Sequence, residues 1–186
     1  MMARPISGFD SPETKLFVEP FIGWRGWQWD AHRQRLVSFN SEVWNPGDEL
    51  HARCIVGSYH DAPALDCNCG IFSMKDPRWL ANHVPVENRQ TVIGTIKIWG
   101  NIVGGSKGWR AEWAMIDALY VPCSDAEIEQ AQLMKFMYDI DGDKTPAYLR
   151  SAMADAIEEV YGVTVYRHDP HDEMTMPNEW GTDVPF

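Results

Sequence analysis

The chain has 186 residues, 45% hydrophobic, 12% aromatic and 23% charged, values that suit one compact domain and exclude a disordered chain or two ordinary domains. A core of this size buries roughly 70% of the surface exposed by the unfolded chain, so no disulfide framework is required. The net charge of −11 is unevenly spread: residues 1–121 carry 12 Lys/Arg against 13 Asp/Glu, and residues 122–186 carry 4 against 14.

Without a basic face the chain is not expected to track nucleic-acid phosphates directly, nor to dock on anionic lipid. The first residues lack an apolar signal region, and no window approaches ~18 consecutive apolar residues, so a cytoplasmic protein is expected. Four cysteines in that setting read as thiols or metal ligands rather than bridges.

Residues 1–20 are rich in proline and predict an irregular arm. From Trp24 the pattern becomes strand-like, with Trp27 and Trp29 on one face. The polar run 30–34 turns the chain, and residues 35–39 return as the second strand of a hairpin. Asn45, Pro46, Gly47 and Asp48 compose a turn leading into a third strand over 49–56. Residues 57–70 are loop-like, and 73–90 are ambiguous around a helix start at Asp76-Pro77.

The clearest strand covers 91–103, with Val92, Ile96, Ile98 and Ile102 on one face and Thr95, Lys97, Trp99 and Asn101 on the other. Gly104 to Gly108 turn the chain back. Residues 109–120 then place Trp109, Ala111, Trp113 and Met115 together, with Arg110 and Glu112 opposite. After Pro122 the hydrophobic period changes from 2 to 3.6. Ser124 and Glu127 form a capping box for a helix to about Tyr138. Pro146 opens a second helix whose stripe is Leu149, Met153, Ala156, Ile157 and Val160, stopped by Gly162. Residues 163–166 suit a last short strand, and the acidic tail 168–186 suits irregular chain.

The expected fold is therefore α+β: a mainly antiparallel sheet, curled towards a barrel, with two C-terminal helices. It is one domain, with an arm (1–20), a β-rich core (21–121), an acidic helical part (122–167) and a tail.

The strongest chemical signal is Cys54, His60, Cys67 and Cys69, four ligands within 16 residues followed by Gly70. This is the inventory of a tetrahedral Cys3His zinc site, in which two ligand sulfurs approach within ~4 Å. Cys67 and Cys69 are two apart and point to the same side of an extended segment. Gly70 relieves crowding where the backbone bends round a metal. The one-residue gap between those cysteines is tighter than in usual knuckles, and three reduced cysteines beside a loop histidine is the plainer alternative. His51 is an alternative ligand to His60, and Cys123 is expected in the core. Asp139, Asp141 and Asp143 fail as an EF-hand, because the sixth and twelfth loop positions are Lys144 and Arg150. The glycine-rich turn at 104–108 joins two strands and so fails as a phosphate loop. His168 to Asp172 offer a weak metal site in the tail.

Nine tryptophans serve either a ligand-stacking pocket or, more simply, the core of a small sheet. Trp99, on a polar strand face, is the candidate contact residue, joined by Arg110 and Glu112 as a charged pair.

Trp44, Pro46 and Gly47; Ala52 and Cys54; His60, Pro63, Cys67, Cys69, Gly70 and Ile71; Gly94, Ile96, Trp99, Gly100, Ile102 and Val103; and the run Gly108 to Glu112 together resemble a family of small uncharacterised proteins of actinobacteria and their phages. The likeness covers residues 24–121. It implies a shared fold and site geometry, supports the zinc ligands among its matching positions, and implies no activity.

These observations lead to an expected non-enzymatic binding or regulatory protein, phage-encoded by resemblance, with structural zinc and a basic protein partner for its acidic end. The alternatives are a nucleotide or small-ligand domain with a Trp-rich pocket, and a zinc-dependent enzyme.

Overall fold

The computed structural model describes residues 13–55, 60–81, 91–121 and 146–167. The first helix expected after Pro122, Cys123, the acidic turn at 139–143 and the tail lie outside them.

The sheet is organised by three long strands: β1 (Glu13–Asp30), β6 (Thr91–Gly104) and β7 (Gly108–Tyr120). Between β1 and β6 come β2 (Arg35–Val37), β3 (Val43–Trp44), β4 (Leu50–His51), β5 (Ile71–Met74) and a single helical turn, α1 (Arg78–Ala81). Helix α2 (Pro146–Tyr161) and β8 (Thr164–Tyr166) follow β7. No helix among the described residues is long and apolar enough to cross a membrane.

The β1–β2 hairpin forms because Asp30 closes its turn: Oδ1 accepts from the amides of His32 and Arg33 at 3.1 and 3.0 Å, an Asx arrangement. The turn at 45–48 is held by the amide of Asp48 on the Asn45 carbonyl, with Gly47 at φ +72°, a value that favours glycine.

All ladders are antiparallel except β7–β8, which is parallel. β6 pairs both β1 and β7, and β5 pairs β7 and, at Trp24–Met74, β1. The pairing therefore runs from β1 through β6, β7 and β5 back to β1. The free edge of β7 carries three short strands in succession: β5 beside 108–111, β4 beside 113–114 and β8 beside 118–120.

Four sequence expectations change. Residues 13–17 pair with 100–104, so the later part of the expected arm is strand. Pro20, which has no N–H to donate, sits in the register break between Phe17 and Phe21. The third strand shrinks from 49–56 to Leu50–His51, because the chain turns away toward Cys54. β5 forms where no strand is expected, between the loop that ends at 70 and the ambiguous stretch that begins at 73. Trp113 and Met115 also leave the face assigned to them.

That last change has a local cause. At Trp99/Ile102 the register shifts, two residues of β6 facing Glu112, with Gly100 at φ +82°. A bulge of this kind moves the following residues to the opposite face. Trp113 consequently lies across from Trp99, and Met115 across from Lys97.

Trp27, Trp29, Leu36, Trp44, Ile96, Ile98, Ile102, Ala111, Ala114, Ile116 and Leu119 build the core with Met153, Ala154, Ile157 and Tyr161 of α2. The buried stripe of α2 is thus rotated from the expected one, with Ala156 and Val160 only partly buried against it. Tyr161 can enter because its hydroxyl is satisfied there: it accepts from the Leu36 amide at 2.7 Å and donates to the Trp44 carbonyl. Burial pushes the phenol above its usual value, so folding stability falls as pH rises past about 10, where the unfolded chain ionises while the buried phenol keeps its proton. Tyr161→Phe removes both bonds without removing the ring. It is expected to lower stability by about 2 kcal/mol in urea titration, and an unchanged midpoint would count against the contact.

Candidate metal centre

The chain leaves the β7 edge after His51 and rejoins it at Ile71. Both anchor points lie within 108–114 of β7, so the intervening loop is tied at its two ends. Cys54 stands just after the first anchor and Cys69 just before the second. This topology draws ligands that are distant in sequence to one place.

Cys54, His60, Cys67 and Cys69 converge, their ligand atoms all within 4.8 Å of one another. Cys54 Sγ lies 3.7 Å from Cys67 Sγ, and His60 Nε2 lies 3.2 Å from Cys69 Sγ. Zinc–sulfur bonds of about 2.3 Å at tetrahedral angles separate two sulfurs by about 3.8 Å. The Cys54–Cys67 pair therefore already has the spacing of one tetrahedral edge. The His60–Cys69 edge is a few tenths of an ångström short of the ideal. His60, and not His51, completes the set. Cys69 is buried while the other three are half-buried. Burial pushes its thiol above the usual value, a cost that a bound cation reverses by fixing the thiolate.

The backbone of the loop is held by Arg110, which is 4% exposed. Its Nη1 donates to the carbonyls of Ala64 at 3.1 Å and Cys69 at 3.0 Å, and to that of Cys67. Desolvation lowers its pKa, opposed by the nearby Cys69 and Cys67. Gly70, at φ +115°, passes so close that a Cβ would meet Pro63 at 2.9 Å and Arg110 at 3.0 Å. Glycine is thus required there for backbone conformation and for space alike.

Arg110 and Glu112, expected as a charged pair, are engaged in different tasks. Glu112 Oε2 accepts from Asn101 N at 2.9 Å and Asn101 Nδ2 at 2.8 Å, closing the β6 bulge. Its other oxygen lies 3.7 Å from His51 Nε2. His51 stacks on Trp113 at 4.1 Å between ring centroids, and Trp113 lies nearly parallel to Trp99 at 6.4 Å. Trp99 is half-buried in this outer stack. Trp27, Trp29, Trp44 and Trp109 are core residues.

A cavity of about 420 Å³ opens beside the cluster, with Cys54, His60, His51, Arg53, Asp61 and Glu112 among its lining residues. No tryptophan lines it, so the expected Trp-rich pocket is not this one. Sequence reasoning named His51 only as a substitute ligand, and it missed Asn101 as a brace. An asparagine after a Trp-Gly pair carries no pattern that marks a bulge. No family model, curated protein or solved structure matches the chain.

Proposed function

We propose that this protein is a non-enzymatic binding module, its β-rich part pinned by structural zinc at Cys54, His60, Cys67 and Cys69. Its acidic C-terminal side engages a basic macromolecular partner. The observation that carries the zinc reading is the convergence of four ligand atoms within 4.8 Å. Three thiolates and one imidazole fill a tetrahedron and leave no position for substrate, the pattern of a structural site rather than a catalytic one. The circuit of strand pairing through β1, β6, β7 and β5 supports a barrel-like form of the sheet. The resemblance to actinobacterial and phage proteins supports a phage or mobile-element source.

The charge distribution supports the partner's chemistry. With 4 Lys/Arg against 14 Asp/Glu in residues 122–186, that part of the chain favours encounter with a basic surface. A nucleic-acid-binding protein offers such a surface on the face that meets its phosphates.

Metal analysis of the purified protein tests the first half, and about one zinc per chain is the expected result for a Cys3His set. A folded chain that carries no metal would overturn it. Affinity capture from the natural host tests the second half, with the full chain compared with one ending at residue 167. Basic proteins should be enriched, less so in high salt and with the shorter chain. Capture indifferent to both would remove the acidic tail from the interface.

A further inference from the structure

We infer that the first part of β1 is a self-association edge: two copies of this chain pair residues 15–19 antiparallel about a two-fold axis at Phe17. Leu16 then stands against the partner's Val18, and Lys15 against the partner's Glu19. β6 lies along one side of residues 13–17, while on the other side of β1 the ladders to β5 and β2 begin only at Trp24 and Gln28. Among the described residues, no strand pairs with that side of 13–23. Backbone donors and acceptors in such a row are a template for another strand. Leu16 and Val18 are 70% and 84% exposed there, while Lys15 and Phe17 are half-buried. The outward positions of this strand are thus apolar. Across the β6 ladder Leu16 faces Asn101, a polar residue bound to Glu112, so covering Leu16 and Val18 with apolar groups removes water from both.

The sequence of this edge fits a second copy of itself. Two antiparallel copies related by an axis perpendicular to the sheet keep like faces together, so the residue on the axis meets itself and its neighbours exchange symmetrically. Centred on Phe17, the pairing matches Leu16 with the partner's Val18 twice, and Lys15 with the partner's Glu19 twice. Centring on Lys15 or Glu19 would set that charge against itself. Centring on Leu16 or Val18 would leave neither Lys15 nor Glu19 opposite an unlike charge. Apolar and unlike-charge cross-strand pairs stabilise a sheet, and like charges directly opposite destabilise it. The same charges therefore discourage indiscriminate pairing and select one register. Pro20, which has no N–H to donate, follows Glu19 and ends the ladder. Each copy spends its edge on the other, so association closes at two.

Sedimentation velocity of the full chain, over a series from roughly 1 μM to 1 mM, covers the span in which a short interface dissociates. A monomer–dimer equilibrium is expected, with the amides of 15–19 exchanging more slowly as the dimer fills. Val18→Lys is expected to weaken dimerisation roughly tenfold or more, and so is either charge reversal alone, Lys15→Glu or Glu19→Lys, because each creates two like-charge pairs. The double reversal restores two unlike pairs and is expected to recover dimerisation to within about threefold of the parent. That recovery distinguishes the pairing from a loss of folding in the single variants. A monomer throughout the series, a dimer indifferent to these substitutions, a loss that persists in the double reversal, or growth beyond two copies would overturn the proposal. So would equal protection of the 15–19 amides in the monomer, which would mean that another segment of the same chain covers the edge.

Discussion

Stripping the metal with a chelator is expected to lower the thermal unfolding midpoint by roughly 8–16 °C. A ligand present at 1,000 times its dissociation constant stabilises the native state by about 4 kcal/mol, and a domain of this size shifts by about 2–4 °C per kcal/mol. The loss should be local before it is global. Both ends of the ligand loop are short strands, β4 with two residues and β5 with four. Strands so short hold few ladder bonds of their own, so they depend on the loop that joins them. The β1–β6 ladder extends over thirteen residue pairs and does not depend on that loop. Amides of 71–74 should therefore exchange with solvent much faster after chelation, while those of 92–98 stay protected. Cys69→Ser should reproduce the midpoint drop without chelator, since a serine hydroxyl is a poor zinc ligand beside thiolates. A zinc-loaded protein whose midpoint ignores both treatments would show that the cluster does not support the fold.

The parts of this structure that were legible in the sequence are those whose signal is local. The 91–120 hairpin announces itself by a period of 2 on both sides of a glycine-rich turn. Helix α2 starts on Pro146 and ends before Gly162, at φ +62°, each residue acting through its own backbone preference. Cys54, His60, Cys67 and Cys69 could be grouped because ligand chemistry restricts which residue types belong together. What was not legible depends on partners far along the chain. Ile71–Met74 is four residues long and becomes a strand by pairing with Gly108–Ala111. The face of Trp113 depends on a bulge in a different strand. Nor can carbonyl acceptors be read from residue types, so a lone Arg110 in an apolar strand looked like half of a surface ion pair. A buried arginine in such a strand is nonetheless a usable signal, because its donors must find acceptors.

Arg110→Met is expected to destabilise the protein by about 1–3 kcal/mol even with zinc saturating, because it leaves the Ala64, Cys67 and Cys69 carbonyls without this donor. Zinc affinity should fall about 10–100-fold, the usual effect of removing a group that orients metal ligands. Arg110 is not one of the four ligand residues, so both effects would reach the site through the backbone of Ala64, Cys67 and Cys69. Arg110→Lys separates charge from geometry. An ammonium keeps the positive charge opposite the thiolates, but it lacks the planar fork that lets one side chain meet several carbonyls. If charge is what matters, the lysine variant should bind zinc nearly as tightly as the parent. If donor geometry matters, its affinity should lie near that of the methionine variant. Competition against a chromophoric chelator gives the affinity, and urea unfolding at fixed free zinc gives the stability. Parent-like values for Arg110→Met in both measurements would mean that the loop holds its ligands in place without this residue.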